Sequence, residues 1–106
     1  MLKGMQEKEQ NSSSLKNESW QLYILECQDG SFYTGIAKNL THRFQQHQNG
    51  KASRYTRAHL PVRLVYEESG MTRTQALIRE STIKTLSRKE KEKLIETGDT
   101  VKYEKE

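Results

Sequence analysis

The sequence predicts an α+β domain in which a small, mainly antiparallel three-stranded sheet is flanked by helices, in the order β-β-α-β-α-α. Residues 20–27 are rich in aromatic and other strand-favouring types, and the Asp29-Gly30 pair that follows is a strong hairpin-turn signal. Two later segments carry the capping-box pattern, in which Thr or Ser precedes Gln or Glu by three positions at a helix start. These observations favour a β-hairpin early in the domain and two helices at its end.

The elements between them follow from local signals. A second strand is expected over 31–36, and Asn39 is a suitable N-cap for a helix that runs to about Gln48. A basic loop is expected over 50–60. Pro61 should then open a third strand that continues to about Glu67.

The end of the domain has clear start and stop signals. Ser69-Gly70 should break the third strand, and the capping box at Thr72 predicts a helix to about Leu86. The second box begins at Ser87 and predicts a helix that Gly98 ends.

Length and composition predict one domain. The 106 residues have room for one, and the apolar residues cluster between positions 20 and 95. We expect a disordered polar arm over 1–18, the folded domain over 19–97 and a flexible tail over 98–106. The arm has no apolar signal-peptide core, no stretch is long enough to span a membrane, and the single Cys27 has no disulfide partner. We therefore expect an intracellular, cytoplasmic protein with no membrane partner.

Basic residues dominate the middle of the chain. The net charge is only +4, yet no acidic residue lies between Asp29 and Glu67. A one-signed segment favours a surface that faces phosphates, because an ordinary solvated face mixes both signs. The lysines and arginines of this segment are Lys38, Arg43, Lys51, Arg54, Arg57 and Arg63.

Two tyrosines lie ten residues apart in the predicted hairpin, in the runs Gln21-Leu22-Tyr23 and Tyr33-Thr34-Gly35. Arg43 follows ten residues after the second tyrosine, and Glu80 lies on a later predicted helix. This constellation, within residues 20–95, resembles the GIY-YIG nuclease family, which is named for its two tyrosine motifs. The departures at Gln21-Leu22 and Thr34 leave both tyrosines in place.

The resemblance implies roles for the polar residues. Tyr23 is expected to act as general base on the attacking water, with Tyr33 positioning it. Arg43 is expected to contact the scissile phosphate through its planar guanidinium. His47, one helical turn further on, could hydrogen-bond a phosphate or assist proton transfer, and a purely structural histidine is the alternative. Some family members have a lysine at the position of Ile36, so Lys38 or Arg43 would have to lower the phenol pKa instead.

Glu80 is the candidate metal ligand. Its spacing from Ala76, Leu77 and Ile83 places it on or beside the apolar stripe of its helix, where a carboxylate is costly to desolvate without a partner. An ion pair with Lys84 at i+4 is the alternative. The resemblance favours a ligand of Mg²⁺ or Mn²⁺, with phosphate oxygens and waters completing the coordination shell.

The basic loop is the candidate nucleic-acid interface. The run Tyr55-Thr56-Arg57 resembles a feature of the small, single-domain bacterial branch of the family and of the nuclease subunit of junction-cleaving enzymes. Arg54 and Arg57 are expected to hold backbone phosphates, while Tyr55 stacks on a base or sugar or, alternatively, packs over the sheet. The candidate binding residues are Lys38, Lys51, Arg54, Tyr55 and Arg57.

Hairpin loop length decides whether the two tyrosines share a face. With the two-residue loop Asp29-Gly30, Tyr23 and Tyr33 fall on opposite faces of the sheet. With the three-residue loop 28–30, Tyr33 pairs with Leu25, both tyrosines share a face, and Gly30 takes a left-handed conformation. A shared catalytic site requires the second register, which we therefore predict.

These observations together predict a metal-dependent endonuclease that hydrolyses DNA phosphodiesters, weakly specific or structure-selective, in DNA repair or processing. RNA is not excluded as a substrate, since the site contacts phosphate, and a protein partner could supply specificity. The alternative is a non-catalytic or partner-dependent nucleic-acid-binding module on the same fold. The sequence has no glycine-rich phosphate loop, and its histidines and Cys27 match no established zinc spacing.

Overall fold

The computed structural model describes residues 19–98, which form an antiparallel sheet with helices on both faces. In chain order the elements are β1 Trp20–Glu26, β2 Phe32–Ala37, α1 Leu40–Gln48, α2 Arg54–Arg57, β3 Arg63–Met71, α3 Arg73–Lys84 and α4 Arg88–Thr97. The strand order is β2-β1-β3. This confirms the predicted α+β architecture. The predicted arm (1–18) and residues 99–106 of the predicted tail lie outside the described residues.

The hairpin has the register that a shared site requires. Tyr33 lies opposite Leu25, and Tyr23 lies opposite Gly35. The backbone N–H of Cys27 donates to the carbonyl of Ser31 at 2.8 Å, which closes a three-residue loop. Gly30 has a φ of +88°, a conformation that glycine adopts without steric cost. The prediction that both tyrosines share one face is confirmed.

Strand β1 is buried on both faces because it is the central strand of the sheet. Leu22 and Ile24 point to the side covered by α3 and α4, where Ala76 and Ile83 complete the buried cluster. Tyr23 and the other odd-numbered residues of β1 point to the side covered by α1. The buried residues on that second side are Tyr23, Leu25, Cys27, Ala37, Leu40 and Val62.

The predicted helix starts are confirmed in atomic detail. The Asn39 side chain accepts the backbone N–H of His42 at 3.0 Å. The capping boxes that begin at Thr72 and Ser87 both have their two reciprocal hydrogen bonds. Gly98 ends α4 with a φ of +64°. These caps depend on residues three or four positions apart, which is why the sequence predicts them.

Strand β3 differs from its prediction at both ends. It begins at Arg63 rather than at Pro61, and it continues past Ser69-Gly70 to Met71 instead of ending near Glu67. Met71 pairs with Trp20, and the register shifts by one residue between that pair and Leu22. The strand does not end at Ser69-Gly70 as expected. It forms a bulge there, with Gly70 at a φ of +81°, because β3 pairs with β1 on both sides of the bulge.

The expected loop over 50–60 contains one helical turn, α2. The Ser53 hydroxyl accepts the backbone N–H of Thr56 at 3.0 Å and so caps this turn. The loop prediction was wrong over 54–57, because a single capped turn lacks the hydrophobic periodicity by which helices are identified.

A buried ion pair fixes α3 against the sheet. Glu68 on β3 is fully buried and accepts hydrogen bonds from Arg79 on α3, at 3.0 Å from Nε and 2.8 Å from Nη2. The Tyr66 hydroxyl donates to the same carboxylate at 2.6 Å. Rotation of α3 about its axis would separate Arg79 from Glu68 and leave a buried charge uncompensated. The ion pair therefore fixes the rotation of the helix. Glu80 is the next residue on that helix.

Candidate active site

Tyr23 occupies a space that Gly35 leaves open. The tyrosine is 1% exposed, and a Cβ atom on Gly35 would lie 2.5 Å from its hydroxyl oxygen and 2.7 Å from Cζ. No residue with a side chain could stand opposite Tyr23 without displacing its ring. The absence of a side chain at Gly35 therefore makes room for the Tyr23 ring.

The Tyr23 hydroxyl lies 2.8 Å from Nε2 of His47. Burial raises the pKa of Tyr23 to about 12, although the nearby Arg43 guanidinium acts in the opposite direction. Arg43 does lower the pKa of the phenol, as expected, but burial outweighs it.

His47 is fully buried, and both of its ring nitrogens contact protein atoms. Nε2 faces Tyr23, and Nδ1 lies 2.8 Å from the Thr56 hydroxyl oxygen. Burial lowers the pKa of His47 to about 4, with the nearby charge of Arg43 as a second cause. The imidazole is therefore neutral at neutral pH. Of the two roles expected for it, this geometry suits proton transfer with Tyr23 rather than a direct phosphate contact.

Tyr33 completes the cluster. Its ring centroid lies 6.5 Å from that of Tyr23 and 5.1 Å from that of His47, whose ring it meets edge to face. The Arg43 guanidinium donates a hydrogen bond to the Gln46 side chain at 3.1 Å, which restrains its position. The structure thus brings together all four residues expected to carry out catalysis.

Glu80 approaches this cluster from α3, on the other side of the sheet. Its carboxylate is 20% exposed and lies 3.2 Å from the Lys84 ammonium, so the ion pair expected as the alternative is present. Its negative charge is also close enough to contribute to the raised pKa of Tyr23. Among residues 19–98 no three His, Cys, Asp or Glu side chains are grouped to hold a metal ion. A single carboxylate suits only a metal whose other ligands are waters and phosphate oxygens.

The candidate binding residues divide into separate surfaces. Lys51, Arg54 and Arg57 line a cleft of about 560 Å³ beside α2. Lys38 lines a different cleft, which it shares with Glu67. The first cleft is the stronger candidate for phosphates, because it combines three cations and no acidic residue in its lining.

Tyr55 is predicted to stack on a base or sugar, but its ring and hydroxyl already contact other residues of the protein. Its ring stacks on His59 at 4.4 Å between centroids and lies nearly parallel to Tyr33 at 6.4 Å. Its hydroxyl donates to the Ser31 side chain. The expected packing over the sheet is therefore present, while 41% of the residue remains exposed.

Sequence reasoning did not identify Thr56 or the role of Gly35 as a neighbour of Tyr23. Thr56 is fully buried and contacts His47 across nine positions of sequence. Its one local signal is Ser53, three residues earlier, in the spacing of a helix N-cap. The opposition of Gly35 to Tyr23 follows from the hairpin register and could have been derived from it.

Comparison with known proteins decides the family. A family model described as the GIY-YIG catalytic domain matches residues 19–93. The chain belongs to the GIY-YIG family. GIY-YIG domains are nuclease domains and in general bind DNA. In the part of this GIY-YIG chain that the structure describes, no helix is long and apolar enough to cross a membrane.

The relatives of this GIY-YIG domain are small bacterial proteins of about its own size. A UPF0213 protein of Staphylococcus saprophyticus is 49% identical over 77 residues, which cover 73% of this chain and 94% of the relative. A UPF0213 protein of Bacillus licheniformis is 44% identical over 82 residues, covering 77% of this chain and 84% of the relative. Their names state no activity.

Solved structures of similar proteins agree with the fold. The solution NMR structure of a protein from E. faecalis is 38% identical and has a TM-score of 0.53. That of a UPF0213 protein from Bacillus halodurans is 39% identical, with a TM-score of 0.50. Each comparison covers 74% of this chain and 84% of the other. The chain is thus a member of a small, single-domain bacterial branch of the GIY-YIG family.

Proposed function

We propose that the protein is a divalent-metal-dependent endonuclease that hydrolyses DNA phosphodiester bonds. The observation that carries this proposal is the contact between the Tyr23 hydroxyl and Nε2 of the neutral His47, beside Arg43. Tyr23 and His47 would supply a proton donor and a proton acceptor, and Arg43 would supply the cation for the phosphate. DNA binding alone does not require a buried phenol hydrogen-bonded to an imidazole, whereas proton transfer does use such a pair.

The proton path follows from this contact. Tyr23 takes a proton from the attacking water while its own phenolic proton passes to Nε2 of His47. Tyr23 need not exist as phenolate beforehand, which its pKa of about 12 would disfavour near neutral pH. Tyr33 borders both groups and orients the water. Arg43 binds the scissile phosphate and stabilises the charge that develops on it.

Substrate binding should make His47 a better proton acceptor. The positive charge of Arg43 is one cause of the low pKa of His47. A phosphate bound to Arg43 offsets that charge and raises the proton affinity of the imidazole. The site thus becomes a better proton acceptor when its substrate is present.

Glu80 is the residue that would hold the metal ion. Its carboxylate is partly exposed, and its field already reaches Tyr23. The Lys84 ammonium lies 3.2 Å from this carboxylate, so a cation already fits beside Glu80. A bound Mg²⁺ or Mn²⁺ would supply Lewis-acid stabilisation of the leaving 3′ oxygen.

The basic cleft formed by Lys51, Arg54 and Arg57 is the surface that we propose for the DNA backbone. Contacts to phosphates alone are sequence-blind and sensitive to salt. The enzyme should therefore select DNA structure or bind loosely, and a protein partner could add specificity. A role in DNA repair or processing is consistent with such an activity.

A non-catalytic DNA-binding module is the second candidate. The observation that favours it is the pair between Glu80 and Lys84, because an ion-paired carboxylate has a structural role without any metal. Such a module would bind the same substrates through the same basic cleft without cutting them.

Cleavage of a labelled panel separates the two candidates. The panel contains DNA duplex, single strand, flap and four-way junction together with RNA duplex, at low salt, with Mg²⁺ or Mn²⁺. Wild type is compared with Glu80→Gln and with Glu92→Gln, a matched control that breaks an exposed i,i+4 ion pair of the same kind, with Arg88 on α4. Cutting by wild type and the control, lost in Glu80→Gln and with a chelator, is the expected result.

Three other outcomes would revise or overturn the proposal. Cutting that survives Glu80→Gln would exclude Glu80 as the metal ligand. Binding without cutting by any variant would favour the non-catalytic module, and recovery of cutting on addition of a partner protein would identify a partner-dependent subunit.

A further inference from the structure

Thr56 contacts one ring nitrogen of His47 and can therefore influence which of the two ring nitrogens carries the proton. The threonine is fully buried, on the one-turn helix α2, and its hydroxyl oxygen lies 2.8 Å from Nδ1 of His47. The same oxygen lies 3.0 Å from the Ser53 hydroxyl and 3.4 Å from the Ser53 carbonyl. A chain of polar contacts therefore runs from the α2 cap through Thr56 and His47 to Tyr23.

The ring nitrogen of His47 that carries the proton can be assigned by elimination. The Tyr23 phenol keeps its proton near neutral pH, since burial raises its pKa, and Arg43 can only donate to it. Among residues 19–98, the acceptor within hydrogen-bond distance of the Tyr23 hydroxyl is Nε2 of His47. Nε2 must then be unprotonated, and a neutral imidazole carries its one proton on Nδ1.

Thr56 is the partner that this arrangement requires. Its oxygen can accept from Nδ1–H, and its own hydroxyl proton can go to the Ser53 hydroxyl or carbonyl oxygen. Every donor in the chain then faces an acceptor. The opposite tautomer would place an Nε2–H against the Tyr23 hydroxyl and leave the buried phenolic proton without the acceptor it has here.

We propose that Thr56 is a positioning residue that holds His47 in the Nδ1–H tautomer, so that Nε2 is open to receive the proton of Tyr23. The tautomer of a histidine is set by the hydrogen bond that its other nitrogen makes, and orienting partners of this kind affect activity without contacting substrate. Thr56 is fully buried and would not contact DNA. It would thus act on the chemical step through His47.

The first test reads the tautomer directly and needs no nuclease activity. The full chain is labelled with ¹⁵N-histidine, and the two ring nitrogens of His47 are assigned by their loss in His47→Gln. The expected spectrum of wild type has a protonated Nδ1 and an unprotonated Nε2. A protonated Nε2 in wild type would overturn the proposal on its own, whatever the variants do.

Two substitutions at Thr56 separate a hydrogen-bonding role from a packing role. Thr56→Ser keeps the hydroxyl and loses the methyl group, whereas Thr56→Val keeps the shape and loses the hydroxyl. The proposal predicts that Ser preserves the Nδ1–H tautomer and that Val shifts His47 toward Nε2–H. A Val variant with the wild-type tautomer would show that Thr56 does not set it. If the Val variant does not fold, the spectra of wild type and the Ser variant still decide the outcome.

The kinetic consequence rests on the proposed function. In single-turnover cleavage of the best substrate, Thr56→Val should lower the rate of the chemical step by about 10- to 100-fold. Its apparent affinity for DNA should not change, and Thr56→Ser should cut at close to the wild-type rate. The reverse order, with Val above Ser, would indicate packing and overturn the kinetic role. Absence of cutting by wild type would contradict the proposed function while leaving the tautomer assignment to the spectra.

Discussion

His47 should make the stability of the fold sensitive to acid. The imidazole is fully buried, and burial together with the Arg43 charge lowers its pKa from 6.5 to about 4. In the unfolded chain the group titrates near its ordinary value of about 6.5. Between these two pKa values, His47 is protonated in the unfolded state and neutral in the folded state. The stability that His47 contributes is therefore present above about pH 6.5 and is lost as the pH falls toward about 4.

The size of the effect follows from the size of the shift. Each pKa unit corresponds to about 1.4 kcal/mol, so the full difference amounts to about 3 kcal/mol. Most of the change falls between neutral pH and pH 4.5, where we expect a loss of about 2 kcal/mol. For a domain of this size that loss is a large fraction of the total free energy of unfolding, which is ~5–15 kcal/mol for natural proteins.

Urea unfolding at about pH 7 and about pH 4.5 measures the effect, with wild type compared to His47→Gln. Other groups also titrate over this range, so the prediction concerns the difference between the two proteins. His47→Gln should lose less stability on acidification than wild type, by about 2 kcal/mol. His42→Gln is the matched control, because His42 is exposed on the same helix. An equal loss in wild type and His47→Gln would refute the inference that the buried imidazole is neutral.

Three further predictions concern packing, a buried charge and DNA binding. Gly35→Ala places a methyl group 2.5 Å from the Tyr23 hydroxyl oxygen, so it should destabilise the fold by about 1–3 kcal/mol in urea unfolding and also slow cleavage. Unchanged stability would mean that the Tyr23 ring is not fixed where the structure has it. Arg79→Met should cost about 3–5 kcal/mol, because it removes the Arg79 cation from the buried Glu68 carboxylate, and Glu68→Leu in the same chain should recover much of that loss. A double variant less stable than the single one would contradict this. Arg54→Ala should reduce the slope of log binding constant against log salt concentration by about 1 in titrations of duplex DNA, and an unchanged slope would remove this residue from the phosphate contacts.

Local sequence signals predicted the elements whose geometry is decided within a few residues. The capping boxes at Thr72 and Ser87 and the N-cap at Asn39 all form as expected, since each joins atoms three positions apart. The extension of β3 to Met71 was not predicted, because it depends on Trp20, some fifty positions earlier in the chain. The buried ion pair between Glu68 and Arg79 was not predicted either, because it depends on how α3 packs against β3.

The residues of the candidate site were identified from the sequence, but their chemical states were not. The spacing of Tyr23, Tyr33 and Arg43 pointed to one site, and the hairpin register puts the two tyrosines on the same face of the sheet. The sequence left the burial of His47 undetermined, together with the identity of its hydrogen-bond partners. It likewise suggested that positive charge would make a phenol more acidic, whereas burial raises the pKa of Tyr23.

The sequence by itself therefore determined the fold class, the family and the residue types available for chemistry. These depend on composition and on spacings along the chain, which one sequence displays in full. Only the tertiary structure decided that the Tyr23 ring fills the space beside Gly35, that His47 is neutral, and that Thr56 contacts its Nδ1. The physical reason is that burial and proton position depend on which side chains exclude water around a group, and those side chains come from distant parts of the chain.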